Sequence, residues 1–192
     1  MRVLHALYET PGVGLAELSE QTGLHENTLR DHVRILEDEG FVRSEMEHNH
    51  HRGRPRKLFW PVRGDVPHEG AQRRVDDAIE RGDLLRRIIP PAVHLDQRTH
   101  HQLDAVYEHL DDVGLQPELD EEKMSIDLTP CPFQSLIEGI SDMVCHLHTL
   151  LIEDVLVRAG GPVEVDRILP FRTATSCRVH LAMRSKPPDL PV

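Results

Sequence analysis

Aromatic residues make up only 4% of this 192-residue chain, so its cores must rest on Leu, Val and Ile rather than on stacked rings. No apolar run approaches the roughly 20 residues a membrane-spanning helix needs. The N-terminus has no basic stretch followed by an apolar one, so no secretory leader is expected. A cytoplasmic chain follows, in which the three cysteines stay reduced and act as ligands, nucleophiles or buried fillers rather than disulfides. No CxxC pair is present, which weakens a zinc ribbon or finger. There is no glycine-rich phosphate loop and no strong catalytic signature, so an enzyme is not expected. A Cys145 nucleophile beside His148 is the remote alternative.

Net charge is −11, which argues against a generic nucleic-acid coat. The charge is uneven. Residues 1–67 carry 9 Arg/Lys against 11 Asp/Glu, a net of −2, and residues 68–192 carry 13 against 22, a net of −9. Any contact with phosphates therefore belongs to the N-terminal part, and the acidic remainder would repel DNA and keep non-specific binding low.

That part is organised around LAELSEQTGLHENTLRDHVRILEDEGFVRSEMEHNHHRGRPRKLFWP, residues 15–61. A helix over 1–9 precedes it, with Val3, Leu4 and Leu7 facing inward. Leu15 and Leu18 predict a short helix over 15–22, stopped by Gly23. Leu24 plugs the turn. Leu29, Val33 and Leu36 recur at four and three, predicting a second helix over 26–39 that Gly40 stops. Residues 41–43 and 58–60 then read as the strands of a hairpin with a polar tip. The second helix keeps His25, Glu26, Asn27, Thr28, Arg30 and Arg34 on its outer side, with Asp31. Arg and Asn pair bidentately with guanine and adenine edges in a major groove. The tip carries Arg52, Arg54, Arg56 and Lys57, and no acidic residue occurs from His48 to Arg63. Such a tip can follow a phosphate backbone or enter a minor groove. A small helical domain with a solvated charged hairpin is the plain alternative, but the ordered combination favours a winged helix-turn-helix on double-stranded DNA.

The expected fold class is α+β: a winged helix-turn-helix over 1–67, a helical linker or dimerisation segment over 68–114, a small α+β sensor domain with an antiparallel sheet over 115–185, and a tail over 186–192. Helices are predicted over 71–89 and 93–113. The apolar lines Val75–Ile79–Leu85 and Leu103–Val106–Leu110 are either plain core or the seam of a homodimer. A dimer is favoured because palindromic operators need two recognition helices. Strands are predicted over 115–119, 124–128, 163–169 and 178–183, and a long helix over 136–157.

Cys131 falls in a predicted loop, Cys145 on the long helix and Cys177 at the last strand. They converge only if the fold brings them together, so spacing alone is not a metal motif. They also suit burial as small hydrophobes. His148, three residues after Cys145, shares its helix face, whereas His146 points elsewhere. The order CPF, VCHLHTLL, LPF and SCRVHL resembles the C-terminal half of the iron–sulfur-binding winged-helix repressors of cluster-assembly operons, the SufR-like group. TLRDHVRILEDEGFV and GRPRKLFW resemble the same group and, more loosely, arsenical-repressor-type regulators. The resemblance implies a homodimeric repressor whose Cys131, Cys145 and Cys177 hold an iron–sulfur cluster of the 4Fe–4S type. With no fourth cysteine, the last iron takes another ligand, for which His148 is the candidate. The alternative is a regulator holding Zn2+ at the same Cys/His site.

Overall fold

The computed structural model describes residues 2–47, 55–129, 141–173 and 176–184. The chain is α+β and divides into two units, Met1–Gln72 and Arg73–Val192.

In the first unit, α1 (Arg2–Glu9), α2 (Leu15–Thr22) and α3 (Glu26–Asp38) are followed by the antiparallel pair β1 (Val42–Met46) and β2 (Lys57–Pro61). Gly23 ends α2 at φ 69°, a left-handed conformation that its lack of a Cβ makes cheap, and its N–H closes on the Ser19 carbonyl at 2.9 Å. His25 starts α3, its Nδ1 accepting from the Asn27 N–H at 3.2 Å. Leu7, Leu18 and Leu29 from three helices are fully buried together with Val33 and Phe59. Each such leucine contributes about 1.5–3 kcal/mol by leaving water. Phe59 also fastens the α1–α2 connection to the hairpin: its N–H donates to the Val13 carbonyl at 2.9 Å, and its carbonyl accepts from Gly12 at 2.8 Å. The strands outrun the expected three-residue runs. The ladder continues to Met46↔Lys57, and on β1 it runs through Ser44 and Glu45, which gave no apolar signal for a strand.

The second unit holds most of α4 (Glu69–Ile88), then α5 (Gln97–Asp112), β3 (Pro117–Asp120), β4 (Ser125–Leu128), α6 (Ser141–Ala159), β5 (Val163–Thr173) and β6 (Ser176–Met183). The sheet is antiparallel in the order β3-β4-β6-β5. The start of α5 is four residues later than predicted, because the Asp96 carboxylate caps the Arg98 and Thr99 N–H groups at 3.1 and 3.2 Å. Leu115 is buried but not in a strand. It follows the left-handed Gly114 and closes the end of α5, its N–H donating to the Leu110 carbonyl at 3.0 Å. The long helix is described from Ser141, so the expected residues 136–140 lie outside the described residues.

The seam reading of α5 is corrected here. Leu103, Val106 and Leu110 are 0–1% exposed and pack with Ile126, Ile152, Leu156 and Val179 in the core of their own unit. A helix stripe records that something covers it, not what covers it. In α4, Val75 is likewise buried, whereas Leu85 is 54% exposed. The two helices approach at Gly82, where a Cβ would run into the Asp104 carboxylate. Arg86 clasps that carboxylate with two bonds, 2.7 and 2.6 Å, and reaches Asp83 at 2.8 Å. Gln102, 1% exposed, donates to the Leu156 and Val163 carbonyls at 2.8 and 3.1 Å and accepts from the Val163 N–H at 2.6 Å. One amide thus joins α5 to the junction of α6 and β5.

Candidate DNA interface and cysteine cluster

The buried stripe of α3 fixes its outer side. Leu29 and Val33 point into the core, which leaves Asn27, Thr28, Arg30 and Arg34 exposed. Base edges are read by the N-terminal residues of a recognition helix, and here three of them form one bonded group. Arg30 donates from Nη1 to Asn27 Oδ1 at 2.6 Å and from Nη2 to Glu26 Oε2 at 3.0 Å. His25 is exposed, but its Nδ1 is engaged in capping the helix. Of the four expected tip cations, Arg52 and Arg54 lie outside the described residues. Arg56 and Lys57 are half exposed at the foot of β2. Arg56 is ion-paired with Glu17 of α2, and Lys57 with Glu37 of α3 at 3.0 Å. The Arg56 guanidinium holds the Glu17 carboxyl below its usual range. Glu17 and Glu37 were not singled out from the sequence. Their partners lie far along the chain, and no spacing links them.

Residues 1–43 match a family model described as winged helix-turn-helix DNA-binding. The N-terminal unit is a winged helix-turn-helix, and the chain is a DNA-binding regulator of transcription. The match ends just inside β1, and the structure supplies the returning strand of the wing beyond it. No curated protein matches the chain. No helix among the described residues is long and apolar enough to cross a membrane.

In the second unit, Cys177 is buried on the inward side of β6 and belongs to the core, while Cys145 is half-buried on α6. Cys177 is the register partner of Leu128, the last residue of β4, from which the chain runs on toward Cys131. Cys131 itself lies outside the described residues. A short turn joins α6 to β5, whose first residue, Val163, pairs with Met183 at the opposite end of the sheet. From that turn back along α6 to Cys145 is about 21 Å at about 1.5 Å per residue. From the same turn along β5 to Leu169, the partner of Arg178, is about 20 Å at roughly 3.3 Å per residue. The two described cysteines therefore belong to the same end of the unit, where β4 also ends.

His148 is half-buried on α6, and burial lowers its pKa, so its imidazole is neutral and able to ligate at pH 7. His146 is exposed. Among the described residues, no three His, Cys, Asp or Glu side chains meet closely enough to hold one metal ion. Cys145, Cys177 and His148 are thus not gathered around a single point. The structure also contains a histidine the spacing could not single out: His109 of α5. Burial, then the charge of Arg74 and that of His148 once acid protonates it, bring its pKa down to about 4.

Proposed function

We propose that the chain is a homodimeric repressor that binds a palindromic operator and reports iron–sulfur status through a cluster, of the 4Fe–4S type, held by Cys131, Cys145 and Cys177. The observation that carries this reading is the shared end of the sheet. β4–β6 pairing and the return of α6 set Cys145 and Cys177 at the end from which the chain leaves for Cys131. The donor chemistry fits: thiolates are the usual ligands of such clusters, and a neutral His148 suits a remaining iron. A cluster spreads its ligands over several irons, so it does not require three side chains around one point, as a zinc ion does. When bound, the cluster supplies a redox-sensitive group. The chain's own residues would hold it, Cys177 from the core and Cys145 from its half-buried place on α6. Cluster-bound and cluster-free forms differ in operator affinity, and the coupling is reciprocal.

For the dimer, the surface in question moves from α5 to the end of α4. Leu84, Leu85 and Ile88, with Ile89 beyond, are 54–71% exposed. Large aliphatic side chains grouped in this way suit a partner surface, and a second copy supplies the second recognition helix. The test is anaerobic purification followed by an absorption spectrum and by iron and acid-labile sulfide assays. Brown protein with both elements supports the cluster. Colourless protein with stoichiometric zinc replaces it with the zinc reading.

A further inference from the structure

The wing is basic in sequence but not in its surroundings. From His48 to Arg63 no acidic residue occurs, but Glu47, just before that stretch, lies opposite Arg56, its N–H donating to the Arg56 carbonyl at 2.7 Å and its charge acting on the guanidinium. Two further carboxylates come from the helix-turn-helix. Glu17, in the first turn of α2, pairs with Arg56, and Glu37, in the last turns of α3, pairs with Lys57 at 3.0 Å. Glu37 is itself oriented by the Ser44 hydroxyl of β1, and the hydrogen bond from Arg56 lowers the pKa of the Glu17 carboxyl. All four side chains remain partly exposed, at 24–49%, so the pairs are open to exchange with a ligand. On α3, by contrast, Arg34 has no carboxylate partner among the described residues.

We propose that Glu17 and Glu37 occupy, in the free protein, the places that DNA phosphates take on Arg56 and Lys57, and that they set how tightly DNA is held. Carboxylate and phosphate offer a guanidinium or an ammonium the same charge-assisted hydrogen bonds. A phosphate arriving at Arg56 displaces Glu17, and the freed carboxylate is left beside a polyanion. Each such exchange neutralises no net phosphate charge, so it adds little to counterion release. The two glutamates therefore lower affinity for every sequence alike. Discrimination is left to the bonded group of Glu26, Asn27 and Arg30 at the start of α3. This inference rests on the DNA-binding role of the first unit.

The test compares Glu17→Gln and Glu37→Gln in the full chain with wild type, on a short mixed-sequence duplex across a salt series. Each variant is expected to bind about threefold to tenfold tighter and to steepen the slope of log affinity against log salt by about one unit. In an Arg56→Ala background the gain from Glu17→Gln should vanish. A circular-dichroism melt shows whether each variant is folded, and Glu17→Ser gives a second route if the glutamine variant is not. Folded variants that bind no tighter, or a gain that survives Arg56→Ala, overturn the proposal. Wild type that binds no duplex at all removes the DNA-binding role itself and is distinguishable from either result.

Discussion

Cys177 and Leu128 are register partners on adjacent strands, a buried thiol beside the last residue of β4. Cys145 sits on α6 and Cys177 on β6, so neither can substitute for the other. Cys131→Ser, Cys145→Ser and Cys177→Ser are each expected to lose most iron and acid-labile sulfide from anaerobically prepared protein, with the winged unit still folded by circular dichroism. His148→Ala should lose less, because an outside ligand can occupy its iron. Full cluster content in any of the three serine variants would count against that cysteine as a ligand.

Arg30, Asn27 and Glu26 are bonded together, so their substitutions should not be independent. Asn27→Ala and Arg30→Ala are each expected to cost about 1–3 kcal/mol of operator binding and to relax preference at neighbouring base pairs. The double variant should cost less than the sum, since each single change already disturbs the other partner. Binding assays on a single-substitution operator series measure both quantities, and strict additivity would show that the two side chains act separately.

Val106 and Leu110 lie in a core, so Val106→Asp or Leu110→Asp buries a charge and should unfold the second unit rather than merely split a dimer. Ile88→Asp falls on an exposed position and should leave the melting temperature near wild type while lowering the mass seen in sedimentation. If Ile88→Asp and wild type sediment alike as dimers, the end of α4 is not the seam.

His109 makes stability depend on acid. Its folded pKa of about 4 lies below the ordinary 6.5, so between those values the unfolded chain takes up a proton that the folded chain does not. Its neutral form is fully tolerated above pH 6.5, and stability falls as pH drops from there toward 4, by up to about 3 kcal/mol. Urea titrations at pH 7.5 and pH 5 should show the loss, and His109→Leu should reduce it. Equal pH sensitivity in the variant would assign the effect to other groups.

Local signals in the chain were the readable ones. The glycine at position 23, the Leu29–Val33 spacing and the short run over 124–128 each act within a few residues, and the elements they imply are present. The start of α5 was misplaced because Val93 and Leu95 were read into the helix, whereas the Asp96 side chain caps it and sets its first turn at Gln97. What joins distant parts left no trace. Glu17 and Arg56 lie 39 residues apart, and nothing in either neighbourhood marks the other. His109 was invisible for the same reason, since Arg74 and His148, whose charges reach it, lie 35 and 39 residues away along the chain. Stripes on α4 and α5 looked alike in sequence, and only the sheet, which covers one and not the other end of the pair, tells them apart.

The three bonds of Gln102 have a consequence for how the second unit assembles. Its two N–H donations go to Leu156 and Val163 and its oxygen serves Val163 again, so the amide recognises one particular residue at the start of β5. A chain in which β5 began one residue earlier or later would offer this buried amide the wrong backbone polarity and leave it stranded, at about 1–3 kcal/mol for each unmet group. Gln102 thus acts as a gauge of where α6 hands over to β5, and it holds Val163 as the first residue of that strand.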